Sequence, residues 1–173
     1  MMIKGANGTG KTTLLKLLSG MDETYRGDIL LNDQPLNTIA PSSLSDHIIY
    51  VGAHEAFIEG TVYDNLMCSD HQMISDIIEL LDASWLKDHL MMAISSDGSP
   101  LSSGERQQLA LARALLQRAD VYLFDEALCH MPQTQAVNIF KLIQKAYDDT
   151  LFVIVAHDLN DVNITESYAI MGT

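Results

Sequence analysis

The sequence predicts an α/β fold: a mostly parallel sheet, a small antiparallel β portion and a helical lobe. Three observations carry this expectation. The runs VYLFDEA (121–127) and LFVIVAH (151–157) are continuously apolar rather than alternating, as strands buried on both faces of a parallel sheet are. Segments with apolar residues at helical spacing lie between such runs, and alternating strands and helices imply parallel strands joined by crossover helices. Finally, GANGTGKT, from Gly5 to Thr12, stands between a strand stub at 1–4 and the leucine-rich stretch LLKLLSG.

Taken in order, the helix after the glycine loop is expected to stop at Gly20. GDILLNDQPLNTI, from Gly27, breaks short apolar runs at Asn32, Asp33 and Pro35, the pattern of an antiparallel hairpin with an Asn-Asp turn. HIIYVG (47–52) is a further buried strand, and the antiparallel portion is placed near 27–52. The helical lobe is placed at about 62–118, with Ile74, Ile77, Ile78, Leu81 and Trp85 on one helical face. It closes with a long helix over Ser102 to Gln117. A helix follows over 138–147, then the strand 151–157 and a last strand over 168–172. The nine methionines read as core filling. No internal repeat or low-complexity linker interrupts the chain, and 1–173 reads as one domain.

Bulk properties narrow the function. At 173 residues and 47% hydrophobic, the chain suits one sizeable core. A formal charge of −13 argues against nucleic acid or an anionic membrane surface as a partner. Cys68 and Cys129 make neither a disulfide framework nor a zinc site, so a reducing cytoplasm is expected. No apolar run approaches the roughly 20 residues that cross a bilayer, and the start carries no signal-peptide pattern.

The chemistry centres on Gly5 to Thr12, which fits the phosphate-binding pattern G-x-x-x-x-G-K-[ST] at every fixed position. Glycines at 5, 8 and 10 let backbone N–H groups approach a phosphate, and the following helix points its positive end at the same place. Lys11 is expected to reach the β- and γ-phosphates, Thr12 to offer its hydroxyl to Mg²⁺, and Thr13 to touch the α-phosphate. The local field of such a loop outweighs distant, screened carboxylates, so the acidic composition does not exclude a nucleotide. The competing reading is a glycine turn before a core helix.

The glycine loop, LSSGERQQLALARALL, YLFDEA and a lone His157 after the next strand, in that order, resemble the nucleotide-binding domain of ABC (ATP-binding cassette) transporters across nearly the whole chain. FIEGTVYDNL (57–66) and the DGSP before the signature look like the exporter branch. The resemblance implies a P-loop NTPase core and an ATPase that closes as a dimer around two ATP molecules, each between one chain's glycine loop and the other's signature helix. It implies ATP and Mg²⁺ as ligands, a transmembrane domain and a second nucleotide-binding domain, identical or not, as partners. The expected location is cytoplasmic, at the inner face of the cell membrane.

Carried over by position, Glu126 is the general base, and His157 and Lys11 are the other candidate catalytic groups. Asp125 and Thr12 are the candidate metal-side residues. Gly5, Asn7, Gly8, Gly10, Lys11, Thr12 and Thr13 are the candidate nucleotide-binding residues on the loop, with Ser102 and Gly104 on the signature. The other histidines form no metal-ligand spacing. Ser102-x-x-Glu105 is also a helix capping box, and that structural reading coexists with the functional one.

Four departures from the family pattern stand out. Ser103 replaces a glycine, Glu105 a glutamine and Ala53 a metal-ligating glutamine, with His54 or Glu55 as substitutes if the loop shifts by a residue. Cys129, His130, Met131 and Pro132 replace the usual loop after Glu126. The upstream strands that carry an adenine-stacking aromatic are expected to lie before Met1. Rival readings are a nucleotide-dependent regulatory module with weak turnover, a soluble ABC ATPase of repair or translation, and a small-molecule P-loop kinase.

Overall fold

The structure, a computed structural model, describes residues 1–52, 56–156 and 167–169. In chain order its elements begin with β1 (Met2–Lys4), α1 (Lys11–Leu18), β2 (Leu30–Leu31), β3 (Gln34–Pro35) and a 3₁₀ turn at Leu36–Thr38. Next come α2 (Pro41–His47), β4 (Ile48–Val51), β5 (Gly60–Thr61), α3 (Val62–Leu66), α4 (His71–Leu80), α5 (Ser84–His89) and β6 (Ala93–Ile94). The chain continues through α6 (Ser103–Leu116), β7 (Val121–Asp125), α7 (Gln133–Ala146), β8 (Leu151–Val155) and β9 (Ser167–Ala169).

Five strands form one sheet in the order β4-β7-β8-β1-β9, and every pairing in it is parallel. Successive side chains of a strand point to opposite faces, which is why these strands need unbroken apolar runs. In β7, Tyr122 and Phe124 enter one core while Val121 and Leu123 enter the other; in β8, Phe152 and Ile154 are divided in the same way from Val153 and Val155. The first core is closed by Leu109 and Leu115 of α6, Phe140 and Ile143 of α7, and the helices α3 to α5. The second is closed by Leu15 of α1, Leu36 of the 3₁₀ turn and Leu44 of α2. The expected α/β architecture, with its parallel sheet, small antiparallel parts and helical lobe, is the one observed.

Details of its boundaries differ from expectation for physical reasons. The hairpin is present, with Asn32 and Asp33 at φ 50° and 66°, the left-handed pair that a tight two-residue turn between twisted strands requires. Yet it ends at Pro35, and 48–51 is not antiparallel: β4 runs parallel to β7, with Ile48 opposite Val121. A second small antiparallel ribbon, β5 with β6, lies at the edge of the lobe instead. Between hairpin and β4 the segment PSSLSDH forms α2, whose serines and aspartate are weak helix formers; its signal was Pro41 in the first turn. The helical period over 74–85 is interrupted at 81–83, where Asp82 turns left-handed at φ 50° and separates α4 from α5. Trp85 still packs on the core, donating its indole N–H to Gln108 Oε1 at 2.7 Å. The helix expected over 138–147 begins at Gln133, directly after Pro132. Of the methionines, Met2 is in the core and Met73, Met92 and Met131 pack against it, whereas Met21, Met67 and Met91 are exposed, so core filling accounts for only some of them.

Candidate nucleotide site

Open parallel sheets gather ligands at the C-terminal ends of their strands. Here the glycine loop follows β1, Asp125 and Glu126 end β7, and β8 lies between those two strands. Asn7, Gly8, Gly10, Lys11, Thr12, Thr13, Glu126 and Val155 line one cavity of about 380 Å³. The structure thus brings together loop residues and a carboxylate more than 100 positions apart in the sequence.

The loop's shape follows from its glycines. Gly8 and Gly10 adopt φ 81° and 90°, and Gly10 is the residue from which α1 starts. A Cβ at either would meet nothing within 4 Å, so glycine is required by backbone conformation and not by crowding. The ammonium of Lys11 turns back over the loop and donates to the carbonyls of Gly5 and Ala6, both at 2.9 Å, and the residue is only 8% exposed. Gly5 therefore enters the site through its carbonyl. Thr12 and Thr13 stand exposed in the first turn of α1, whose free N–H groups and dipole favour an anion.

Asp125 is buried at 6% exposure, and the Tyr50 hydroxyl of β4 donates to its Oδ2 at 2.9 Å. Sequence reasoning did not find Tyr50, because the two residues are 75 apart and meet only through the register that places β4 beside β7. Glu126 adopts φ 56°, a conformation rare for a residue with a side chain. Its N–H donates to the Val155 carbonyl at 2.9 Å, which fixes the end of β7 to the end of β8.

Ser102 and Gly104 lie elsewhere, at the start of α6, and do not line this cavity. The capping box is formed: Glu105 N–H donates to Ser102 Oγ at 3.3 Å, and Ser102 N–H donates to Glu105 Oε2 at 2.7 Å. The Ser102 backbone N–H, and then its hydroxyl, hold the Glu105 carboxyl below its ordinary pKa. A depressed carboxyl contributes stability that is complete above its unfolded pKa, about 4.3, and is lost as pH falls through the folded value. Ser102→Ala is expected to cost roughly 0.5–2 kcal/mol in urea unfolding at neutral pH. The native chain and Glu105→Gln should converge in stability as acid protonates Glu105; a gap that widens below about pH 4 would contradict the cap. His157, Ala53, His54 and Glu55 lie outside the described residues.

Mg²⁺ keeps several waters and commonly takes only one or two protein oxygens beside a substrate phosphate. A buried carboxylate at Asp125 and a hydroxyl at Thr12 are hard oxygen donors of that kind, so the residues present suit the ion. Among the described residues no group of three or more His, Cys, Asp or Glu side chains could hold a metal without such a phosphate.

A glycine loop opening a helix at the end of a parallel sheet, with carboxylates closing the strand next but one, defines the P-loop class of α/β nucleotide-binding folds. Residues 1–129 match the ABC transporter family, and the chain belongs to that family. It is 33% identical over 167 residues to an uncharacterized ABC transporter ATP-binding protein of Haemophilus influenzae, covering 92% of this chain and 30% of that protein. An ATP-dependent lipid A-core flippase of Francisella novicida is 28% identical over 177 residues, covering 96% of this chain and 30% of the flippase. A mycobactin import ATP-binding/permease protein of Mycolicibacterium thermoresistibile is 31% identical, covering 92% and 29%. A solved structure of a bacterial Atm1-family ABC exporter with ATP bound superposes with a TM-score of 0.89 at 21% identity, over 98% of this chain and 31% of that one. The fold is that of the ATP-binding part of exporter-type ABC proteins, and the chain spans about 30% of the length of these curated relatives.

Proposed function

We propose that the chain binds ATP in the cradle of residues 5–13 and hydrolyses it to ADP and phosphate, as the motor of an exporter-type ABC transporter. The observation that supports this most directly is the single cavity shared by Lys11, Thr12, Thr13 and Glu126. Backbone N–H groups of the loop and the start of α1 hold the phosphates, and the Lys11 ammonium exchanges its carbonyl partners for phosphate oxygens. Thr12 and Asp125 would hold Mg²⁺, which supplies charge neutralisation on the phosphates. Glu126 takes a proton from water as its oxygen bonds to the γ-phosphorus and the bond to the β–γ bridging oxygen breaks. His157 is assigned beside the γ-phosphate on family likeness alone.

Ser102 and Gly104 are assigned to the nucleotide of a second domain. Ser103 and Glu105 at the same helix start favour a partner of different sequence, since a carboxylate facing a γ-phosphate disfavours closure. A transmembrane domain completes the transporter and places this chain on the cytoplasmic side of the membrane; no helix among the described residues is long and apolar enough to cross a bilayer. The relatives' names include both a flippase and an importer, so cargo and direction belong to the parts beyond this domain. Steady-state phosphate release from ATP tests the reading: turnover is expected with Mg²⁺ and is lost on chelation. ATP binding with no release under either condition would favour the regulatory-module reading.

A further inference from the structure

Four polar or charged side chains are buried among the described residues: Lys11, Asn65, Gln107 and Asp125. Lys11 and Asp125 belong to the candidate site. Asn65 ties the turn before α3 together through Ile58 and the Thr61 carbonyl. Gln107, 6% exposed and one turn into α6, has a different set of partners. Its Nε2 donates to the Glu126 carbonyl at 3.2 Å and lies 3.6 Å from Cys129 Sγ, while its Oε1 accepts from the His130 N–H at 3.0 Å. One amide group therefore closes both ends of the turn 126–130, whose own Cys129 N–H also donates to the Glu126 carbonyl at 3.0 Å.

The placement matters because Glu126 is left-handed at φ 56°. A residue persists in such a conformation when its surroundings over-determine it. The N–H of Glu126 is held by Val155 and its carbonyl by Gln107 and Cys129, so both peptide planes that set the direction of its side chain are tied. One of those ties comes from α6, the helix whose first turn carries Ser102 and Gly104. We propose that Gln107 is a positioning residue: its amide clamps the turn 126–130, aims the Glu126 carboxylate, and couples any movement of the start of α6 to the base in the same chain. This rests on the reading of Glu126 as the base.

Cys129 supplies an independent probe, since its residue is exposed while its sulfur lies against the Gln107 amide. The test uses the purified 173-residue chain carrying Cys68→Ala, so that Cys129 is the single thiol. Gln107→Met keeps the volume and removes both hydrogen bonds; Gln107→Glu keeps an acceptor for His130 N–H and removes the donor to Glu126. Circular dichroism and thermal melts select variants that fold.

Both variants are expected to lower kcat by about tenfold to a hundredfold with KM for ATP within about twofold, because a small misplacement of a reacting group costs that much. Maleimide labelling of Cys129 should also become several-fold faster as the turn loosens. Unchanged labelling in a folded variant would overturn the clamp. Faster labelling with unchanged kcat would overturn the coupling to Glu126. If the parent chain released no phosphate at all, the proposed hydrolysis by this chain alone would fail instead, and the labelling rates would decide the clamp by themselves.

Discussion

Glu126→Gln is expected to reduce steady-state phosphate release by about 10² to 10⁴ while ATP still binds. The substitution is close to isosteric and leaves the backbone ties to Val155 and Gln107 in place, so it removes the proposed proton acceptor without disturbing the turn that carries it. The measurement is a pair: nucleotide affinity by equilibrium titration, and phosphate release under saturating ATP and Mg²⁺. Normal hydrolysis by the Gln variant would assign the base to another group. Retained binding with lost turnover also predicts a longer-lived closed complex with the proposed second nucleotide-binding domain, visible as an ATP-dependent shift in size-exclusion chromatography when that partner is supplied.

Lys11→Ala removes both the charge proposed to meet the phosphates and the two hydrogen bonds that fold its ammonium over Gly5 and Ala6. A hydrogen bond to a charged group contributes about 1.5–3 kcal/mol, so ATP affinity should fall by roughly 10-fold to 150-fold, and turnover should be abolished. Fluorescent-nucleotide titration reads the first effect and phosphate release the second. Unchanged affinity would remove the site assignment. The side chain is buried, so a thermal melt without nucleotide separates loss of the ligand contact from loss of the loop.

Much of the fold was legible because its strongest signals are local. The glycine loop is eight consecutive residues, and the strands β7 and β8 announce themselves as unbroken apolar runs. The cap at Ser102 and Glu105 needed only a spacing of three. What escaped was set by pairing across distance. Whether 48–51 runs parallel or antiparallel depends on its neighbour β7, more than 70 residues later, and not on its own composition. Tyr50 and Gln107 read as ordinary core and helix residues until that register and the packing of α6 bring them to Asp125 and Glu126. The break between α4 and α5 turns on one left-handed aspartate in an otherwise continuous helical period. The expectations for His157 and Ala53 fall outside the described residues.

The position of β1 has a consequence for how the protein forms. Residues 2–4 are fixed by hydrogen-bonded neighbours at 154–155 on one side and 167–169 on the other, so among the described residues the strand before the glycine loop closes the longest strand-to-strand circuit. Contacts of such separation must overcome the full loop-closure entropy before they repay it, and topologies built on them fold slowly. During synthesis the loop precedes the strands at 154–155 and 167–169, so its supporting strand acquires its hydrogen-bonded neighbours only when those later strands have been made. Nucleotide would then favour the completed form by mass action, binding the native chain and not its precursors.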